Sequence, residues 1–291
     1  MTLEMRSKHS SEGVSRKLYK IIGAILITLG AAVMLYPLLW MVASSFKPES
    51  MIFADKSLLI KEFTIEHYIR GLKGVAGTSF MDYMVNSLKV VIPVVIGNLI
   101  SCSMVGYAVA RLEFPFKKIV FPIILITMML PMHATLIPRY MMFRNLNWID
   151  TYLPLTVPSF FAIQGFFCYL FIQFMRGIPK ELDQAATVDG CGPIMTYFRI
   201  IVPLSGPVFI TAAIFSFIWT YDDFFSQLIY INDPTQFTIA LSLRQYTEAF
   251  ELSAFGVLFA MSSLSLVPVF IFFISCQKYL VEGIATTGLK G

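Results

Sequence analysis

Six apolar runs divide this sequence, each close to the ~20 residues that a helix needs to cross a hydrocarbon core of about 30 Å. They run approximately over Ile21 to Val42, Tyr83 to Ala110, Ile119 to Ile137, Leu153 to Phe174, Pro203 to Trp219 with a possible extension to Ile231, and Ala254 to Cys276. Lipid offers backbone groups no hydrogen-bond partner, so runs of this length predict helices that satisfy their own N–H and C=O groups. The expected fold class is therefore all-α: a polytopic membrane protein with six transmembrane helices. Composition agrees, because only 14% of the 291 residues are charged, against about 25% in ordinary globular domains.

Six crossings place both termini on one side, and the distribution of basic residues predicts which. Arg6, Lys8, Arg16, Lys17 and Lys20 precede the first run, Arg111, Lys117 and Lys118 follow the second, and Arg176, Lys180 and Arg199 follow the fourth. Those segments are expected to be cytoplasmic. The loop after the first run carries Lys47, Lys56, Lys61, Arg70 and Lys73, but Glu49, Asp55, Glu62 and Glu66 accompany them. The first run approaches the length of a full span, whereas the apolar stretch of a cleaved signal peptide is about 7 to 15 residues, so an uncleaved anchor is expected. Cys102, Cys168, Cys191 and Cys276 show no paired metal-site spacing and read as reduced structural thiols.

No G-x-x-x-x-G-K-[ST] phosphate loop occurs; "GLKGVAG" at Gly71 and "GLKG" at Gly288 lack its spacing. The chain is not expected to bind ATP itself. It contains neither an H-E-x-x-H helix nor a G-x-S-x-G elbow, and His9, His67 and His133 are isolated, which predicts packing or surface roles and neither a catalytic nor a metal site. Lys89 lies close enough to the start of its run to snorkel. Asp222 and Asp223, in "FIWTYDDFFSQLIYIND", have apolar and aromatic neighbours on both sides; lining a water-filled path and sitting in an interfacial aromatic belt are both open for them. Prolines recur in or beside the runs: Pro93, Pro122, Pro131, Pro138, Pro154, Pro158, Pro203, Pro207 and Pro268. They predict kinks where neighbours or water must satisfy freed carbonyls.

Between the fourth and fifth runs stands "PKELDQAATVDGCGP", Pro179 to Pro193. Pro179 suits a first helical turn, Glu181 and Asp183 suit the positive end of a helix dipole, and Gly190 can stop the helix in a left-handed conformation. The resulting helix, roughly 16 Å long, is too short to span. Leu182, Ala185, Ala186 and Asp189 share one face, and that face either packs back on the bundle or docks on a soluble partner.

The stretch "ELDQAATVDGCGPIMTYFRIIVPLSGP" closely resembles the E-A-A-x-x-x-G loop of permease subunits of ATP-binding-cassette importers, through Ala185, Ala186, Asp189, Gly190, Phe198, Ile201, Pro203, Leu204 and Pro207. "GYAVARLEFPFK" from Gly106, "LPMHATLIPRYMMFRNLNWIDTYLPLTVP" from Leu130, "WTYDDFFSQLIYI" from Trp219 and the tail "QKYLVEGIATTGLKG" resemble the maltose-permease-type carbohydrate branch. The likeness covers nearly all of the chain after about residue 80, the first span more loosely. Gln184 stands where the family usually has glutamate and Cys191 where it usually has alanine. Tyr221-Asp222-Asp223 replaces a usual Trp-Asn-Asp or Trp-Asn-Glu.

The resemblance implies a half of a translocation pathway for a carbohydrate, an oligosaccharide or glycoside, with no bond chemistry in this chain. It implies a coupling helix in which Glu181, Leu182, Asp183, Gln184, Ala185, Ala186, Asp189 and Gly190 dock on an ATPase, and a pathway lined by Trp219, Tyr221, Asp222 and Asp223. The implied partners are a second, unlike permease, two cytoplasmic ATPase subunits that hold ATP and Mg, an extracytoplasmic solute-binding protein and membrane lipid, with no nucleic acid. The corresponding organisation is a cytoplasmic tail over 1–17, a first transmembrane helix over 18–43, an extracytoplasmic loop over 44–80, a permease core over 81–282 and a cytoplasmic tail over 283–291. An ion-coupled secondary transporter and a non-transporting structural subunit are the alternatives. The first would place polar groups on discontinuous helices within inverted repeats, and no internal repeat is evident.

Overall fold

The computed structural model describes residues 2–75, 77–249 and 255–288. Among these the chain is helical throughout, the sole β pairing being an isolated bridge between Val75 and Thr78. Among the described residues, four helices are long and apolar enough to cross a membrane: Tyr19–Ser44, Phe80–Arg111, Leu153–Arg176 and Phe255–Lys278. Two bent pairs, Lys117–Met129 with Met132–Asn145 and Pro193–Leu204 with Gly206–Tyr221, bring the number to six when each counts as one span.

The third span, expected over Ile119 to Ile137 with kinks at its prolines, is broken into two helices, Lys117–Met129 and Met132–Asn145. Its halves meet at 99°, and Pro131 explains the break. Leu130 before it is extended (ψ 122°), the conformation a following proline ring imposes, and Pro131 itself has no N–H to continue the ladder. The fourth span is interrupted at Ala162, whose φ is +53°, before Gly165–Arg176 resumes. The fifth begins at Pro193, passes through a π-helical turn, Tyr197–Ile201, bends by 77° beside the buried Ser205 and ends at Tyr221. Its possible extension to Ile231 is a separate short helix, Phe224–Tyr230, capped by the Asp223 carboxylate on the Ser226 N–H at 3.0 Å.

The chain divides into two compact units. One comprises residues 1–71 and 250–263. Helix Thr2–Ser44 passes without interruption from the expected tail into the first span. In the loop that follows, Lys47 is 2% exposed and its ammonium donates to the Asp55 and Ser57 carbonyls. His67 is buried with its Nε2 2.9 Å from the Lys47 carbonyl, a packing role. The Glu49 carboxylate accepts from the Phe255 and Gly256 N–H groups at 2.8 and 3.0 Å, supplying partners to the exposed donors at the start of the last helix.

The other unit, 72–249 with 264–291, is organised around Phe80–Arg111. A capping box starts this 32-residue helix: the Ser79 hydroxyl accepts from the Asp82 N–H and the Asp82 carboxylate from the Ser79 N–H. Gly106 lets Gly165–Arg176 approach closely, since a Cβ there would lie 2.5 Å from the Phe171 Cβ. Small residues commonly serve such membrane-helix contacts, where lipid removes most of the hydrophobic incentive to associate. Cys102, Phe167, Cys168, Phe171, Ile172, Met175, Tyr197 and Ile201 fill the core around this crossing. The last helix runs to Gly288, into the segment expected as a tail over 283–291, of which residues 289–291 lie outside the described residues. All four cysteines are free thiols.

Candidate functional site

Two features of the larger unit stand out, a loop helix and a cavity. The loop helix covers Glu181–Val188, shorter than the Pro179-to-Gly190 reading, because Pro179 lies before it and Lys180 is its N-cap. Lys180 makes no side-chain cap, so Glu181 and Asp183 in the first turn face the exposed N–H groups with negative charge. The far end closes as a Schellman motif. Cys191 N–H donates to the Ala186 carbonyl at 2.8 Å and Gly190 N–H to that of Thr187 at 3.1 Å, with Gly190 at φ +78°. The left-handed stop expected at Gly190 is present.

The helix is fastened at both ends to the second span. Arg111, in the last turn of Phe80–Arg111, is 2% exposed; its Nη2 donates to the Ile178 carbonyl at 2.7 Å and its Nη1 lies 3.1 Å from the Asp183 carboxylate. The second contact is an ion pair without hydrogen-bond alignment, and Asp183 Oδ1 makes no hydrogen bond. One turn earlier, Tyr107 donates to the Pro193 carbonyl at 2.9 Å, where the loop returns to the bundle. A further turn up, the Ser103 and Tyr197 hydroxyls share a hydrogen bond of 2.7 Å.

These contacts divide the expected docking set. Asp183 is held by Arg111 and Ala186 is buried (3% exposed), so both belong to the face turned inward. Ala186 thereby parts from Leu182, Ala185 and Asp189, with which it shares the face expected either to pack back on the bundle or to dock on a partner. Leu182, Ala185 and Asp189 remain exposed, as do Glu181, Gln184 and Gly190. Val188, absent from the expected set, is 87% exposed and extends the open face.

The cavity has a volume of about 590 Å3 and lies where the chain breaks. The Leu130 bend, the Ile163-to-Phe166 restart of the fourth span and the end of the fifth at Trp219, Thr220 and Asp223 all line it. Trp219 is half exposed, with Phe166 5.0 Å away between ring centroids. Asn98, on the second span, donates to the Ser216 hydroxyl at 2.9 Å, but its Oδ1 is buried without a partner, as is Gln227 Oε1. Both residues line the cavity, and each leaves a buried amide oxygen without a hydrogen-bond partner beside it.

Of the expected pathway residues, Trp219 and Asp223 are on this wall, and Tyr221 and Asp222 are off it. Tyr221 is buried, stacks on Phe217 and donates to the Ser265 carbonyl at 2.8 Å. Helical spacing explains this: 221 lies two residues after 219, on a different face of the helix. Sequence reasoning missed Asn98, Gln227 and the Arg111 anchor. In the sequence Arg111 reads as a positive-inside charge and as part of the "GYAVARLEFPFK" resemblance, and its place in a terminal helical turn is the signal of an anchor.

The comparisons with known proteins follow the same lines. The family described as binding-protein-dependent transport system inner membrane component matches residues 102–285. The probable ABC transporter permease protein YurM of Bacillus subtilis is 33% identical over 257 residues, 88% of this chain and 84% of that protein. The arabinooligosaccharides transport system permease protein AraQ of Halalkalibacterium halodurans is 30% identical, with 91% and 96% covered. The trehalose/maltose transport system permease protein MalG of Thermococcus litoralis is 29% identical, with 96% and 99% covered. Among solved structures, a chain of a bacterial ABC transporter involved in the import of the acidic polysaccharide alginate superposes with a TM-score of 0.80. It is 21% identical, covers 91% of this chain and is itself covered over 97%, a likeness of fold.

Proposed function

The chain belongs to the family of binding-protein-dependent transport system inner membrane components, and from that premise we propose that it forms half of the pathway by which an ATP-binding-cassette importer moves a carbohydrate, an oligosaccharide or glycoside. The observation that carries this reading is the two-sided loop helix. One face is tied to the second span through Asp183 and carries the buried Ala186, while Leu182, Ala185, Val188 and Asp189 stand exposed. A short helix with a bound side and an open side suits docking into a groove on a soluble partner.

In this proposal the partner is a pair of cytoplasmic ATPases holding ATP and Mg, which places the loop helix and both termini in the cytoplasm. A displacement of the helix is delivered to the second span at Arg111 and Tyr107, and to the fifth through the Tyr197 turn. The solute, handed over by an extracytoplasmic binding protein, meets Trp219 through the apolar face of its ring and offers hydroxyl donors to Asn98 and Gln227. The other half of the pathway is an unlike permease. A carbohydrate is favoured because permeases of arabinooligosaccharide and trehalose/maltose systems are among the similar proteins.

Reconstitution of the full complex in liposomes tests the reading. ATP enclosed with the ATPase domains should drive solute accumulation that survives collapse of the proton gradient. Uptake that follows the gradient and ignores ATP would falsify it. A working complex built from this permease and its ATPase alone would remove the unlike second subunit.

A further inference from the structure

A second pocket, of about 830 Å3, opens beside the turn between the second and third spans. Lys117, Lys118 and Arg176 line it, with Glu113 as the one carboxylate on its wall. Glu113 is already engaged with Lys117 at 3.0 Å, a contact that also holds its carboxyl below the usual range. The Arg176 guanidinium lies 4.5 Å above the Phe121 ring, and neither it nor Lys118 forms an ion pair among the described residues. The pocket therefore presents a surplus of positive charge, and its remaining walls are apolar: Val109, Phe114, Phe116, Ile119 and Pro122.

Two details distinguish it from an ordinary basic surface. Phe116 holds a left-handed conformation (φ +66°), unusual for a bulky residue, and its side chain is 76% exposed at the pocket. From there Phe116, Ile119, Ile123 and Ile126 recur at helical spacing along the third span, each more than half exposed. A cationic cup thus continues directly into an apolar track. A soluble anion would use the cup alone, whereas a lipid carries a phosphate and chains together.

We propose that this pocket binds the phosphate of an anionic phospholipid between Lys118, Arg176 and Lys117, with the acyl chains along the Phe116-to-Ile126 track. Basic pockets between transmembrane helices are suited to such headgroups. The site abuts the end of the second span, so a bound lipid would brace the region from which Arg111 holds the loop helix.

Native mass spectrometry of the assembled transporter, exchanged into mixed phosphatidylglycerol and phosphatidylcholine, reads lipid retention directly. The wild type should retain phosphatidylglycerol in preference. Lys118→Gln with Arg176→Gln should lower that preference on the order of tenfold, and Lys56→Gln with Lys73→Gln, an equal loss of charge elsewhere, should leave it unchanged. Glu113→Gln should raise retention by removing the carboxylate that neutralises Lys117, whose ammonium also donates to the Leu112 carbonyl, a test that survives if the double variant fails to assemble. Equal retention of both lipids, an unaltered preference in the double variant, no rise with Glu113→Gln, or displacement of the lipid by millimolar inorganic phosphate would each overturn the proposal.

Discussion

Arg111 and Asp183 meet at 3.1 Å with the arginine side chain 2% exposed, joining the end of the second span to the first turn of the loop helix. Removing one member of such a pair leaves a charge without its partner, at a cost of about 3 kcal/mol when burial is deep and less here because Asp183 is partly exposed. Asp183→Asn should lower the thermal stability of the complex and its uptake together. Arg111→Met combined with Asp183→Leu should recover stability more than uptake, and a double-mutant cycle on both readouts measures the coupling.

Gly190 occupies φ +78°, and a Cβ there meets no atom within 4 Å, so any penalty is one of backbone conformation alone. Gly190→Val should cost about 1 to 2 kcal/mol of local order, whereas Gly190→Asn should be nearly neutral because asparagine tolerates this region. Transport and co-purification of the ATPase should fall for valine and hold for asparagine. Equal behaviour of the two variants would remove the left-handed stop from the coupling account.

The open face of the loop helix is tested without touching its anchor. Val188→Glu and Asp189→Lys change exposed side chains and should leave membrane insertion and thermal stability within about 0.5 kcal/mol of wild type. Loss of ATPase co-purification in both is the expected result. Retained ATPase binding and transport would make the helix a surface linker.

In the cavity, Asp223 both lines the wall and caps Phe224–Tyr230. Asparagine is an equally good cap, so Asp223→Asn removes the charge and keeps the helix, while Asp223→Ala also loses the cap, worth about 1 kcal/mol. Trp219→Ala should reduce uptake at least tenfold, about 1.4 kcal/mol, with the ATPase still bound. Tyr221→Phe, off the cavity, should instead show a stability loss near 1 kcal/mol from the lost hydrogen bond of its hydroxyl to the Ser265 carbonyl. A solute-dependent transport defect in Tyr221→Phe larger than that in Trp219→Ala would reverse the assignment.

Asp233 accepts from the Thr235 backbone N–H at 2.9 Å, and this bond holds its carboxyl below the usual carboxylate range. A depressed folded value means that the contact contributes stability above the unfolded carboxylate range and loses it as pH falls through the folded one. The Asp233 turn should therefore exchange its amide hydrogens faster, after correction for intrinsic rates, in strongly acidic buffer. Asp233→Asn should flatten that dependence.

What lay open in the sequence was whatever is encoded locally. Apolar run length set the number of crossings, and the acidic start and Gly190 stop set the loop helix, because helix ends carry their own signals in propensity and capping. Even Pro131, read as a kink, foretold the place of the break, though not its 99° angle. The tertiary structure alone decided that Ala186 turns inward while Val188 turns out, and that Arg111 reaches Ile178 across 67 residues. It likewise brought the breaks at Leu130 and Ile163 together with Asn98 and Trp219 around one cavity. The physical reason is that helices apolar on nearly every side have no polar face to fix their rotation. Rotation and axial offset follow from packing, such as Phe171 against Gly106, and it is those offsets that determine which polar groups meet.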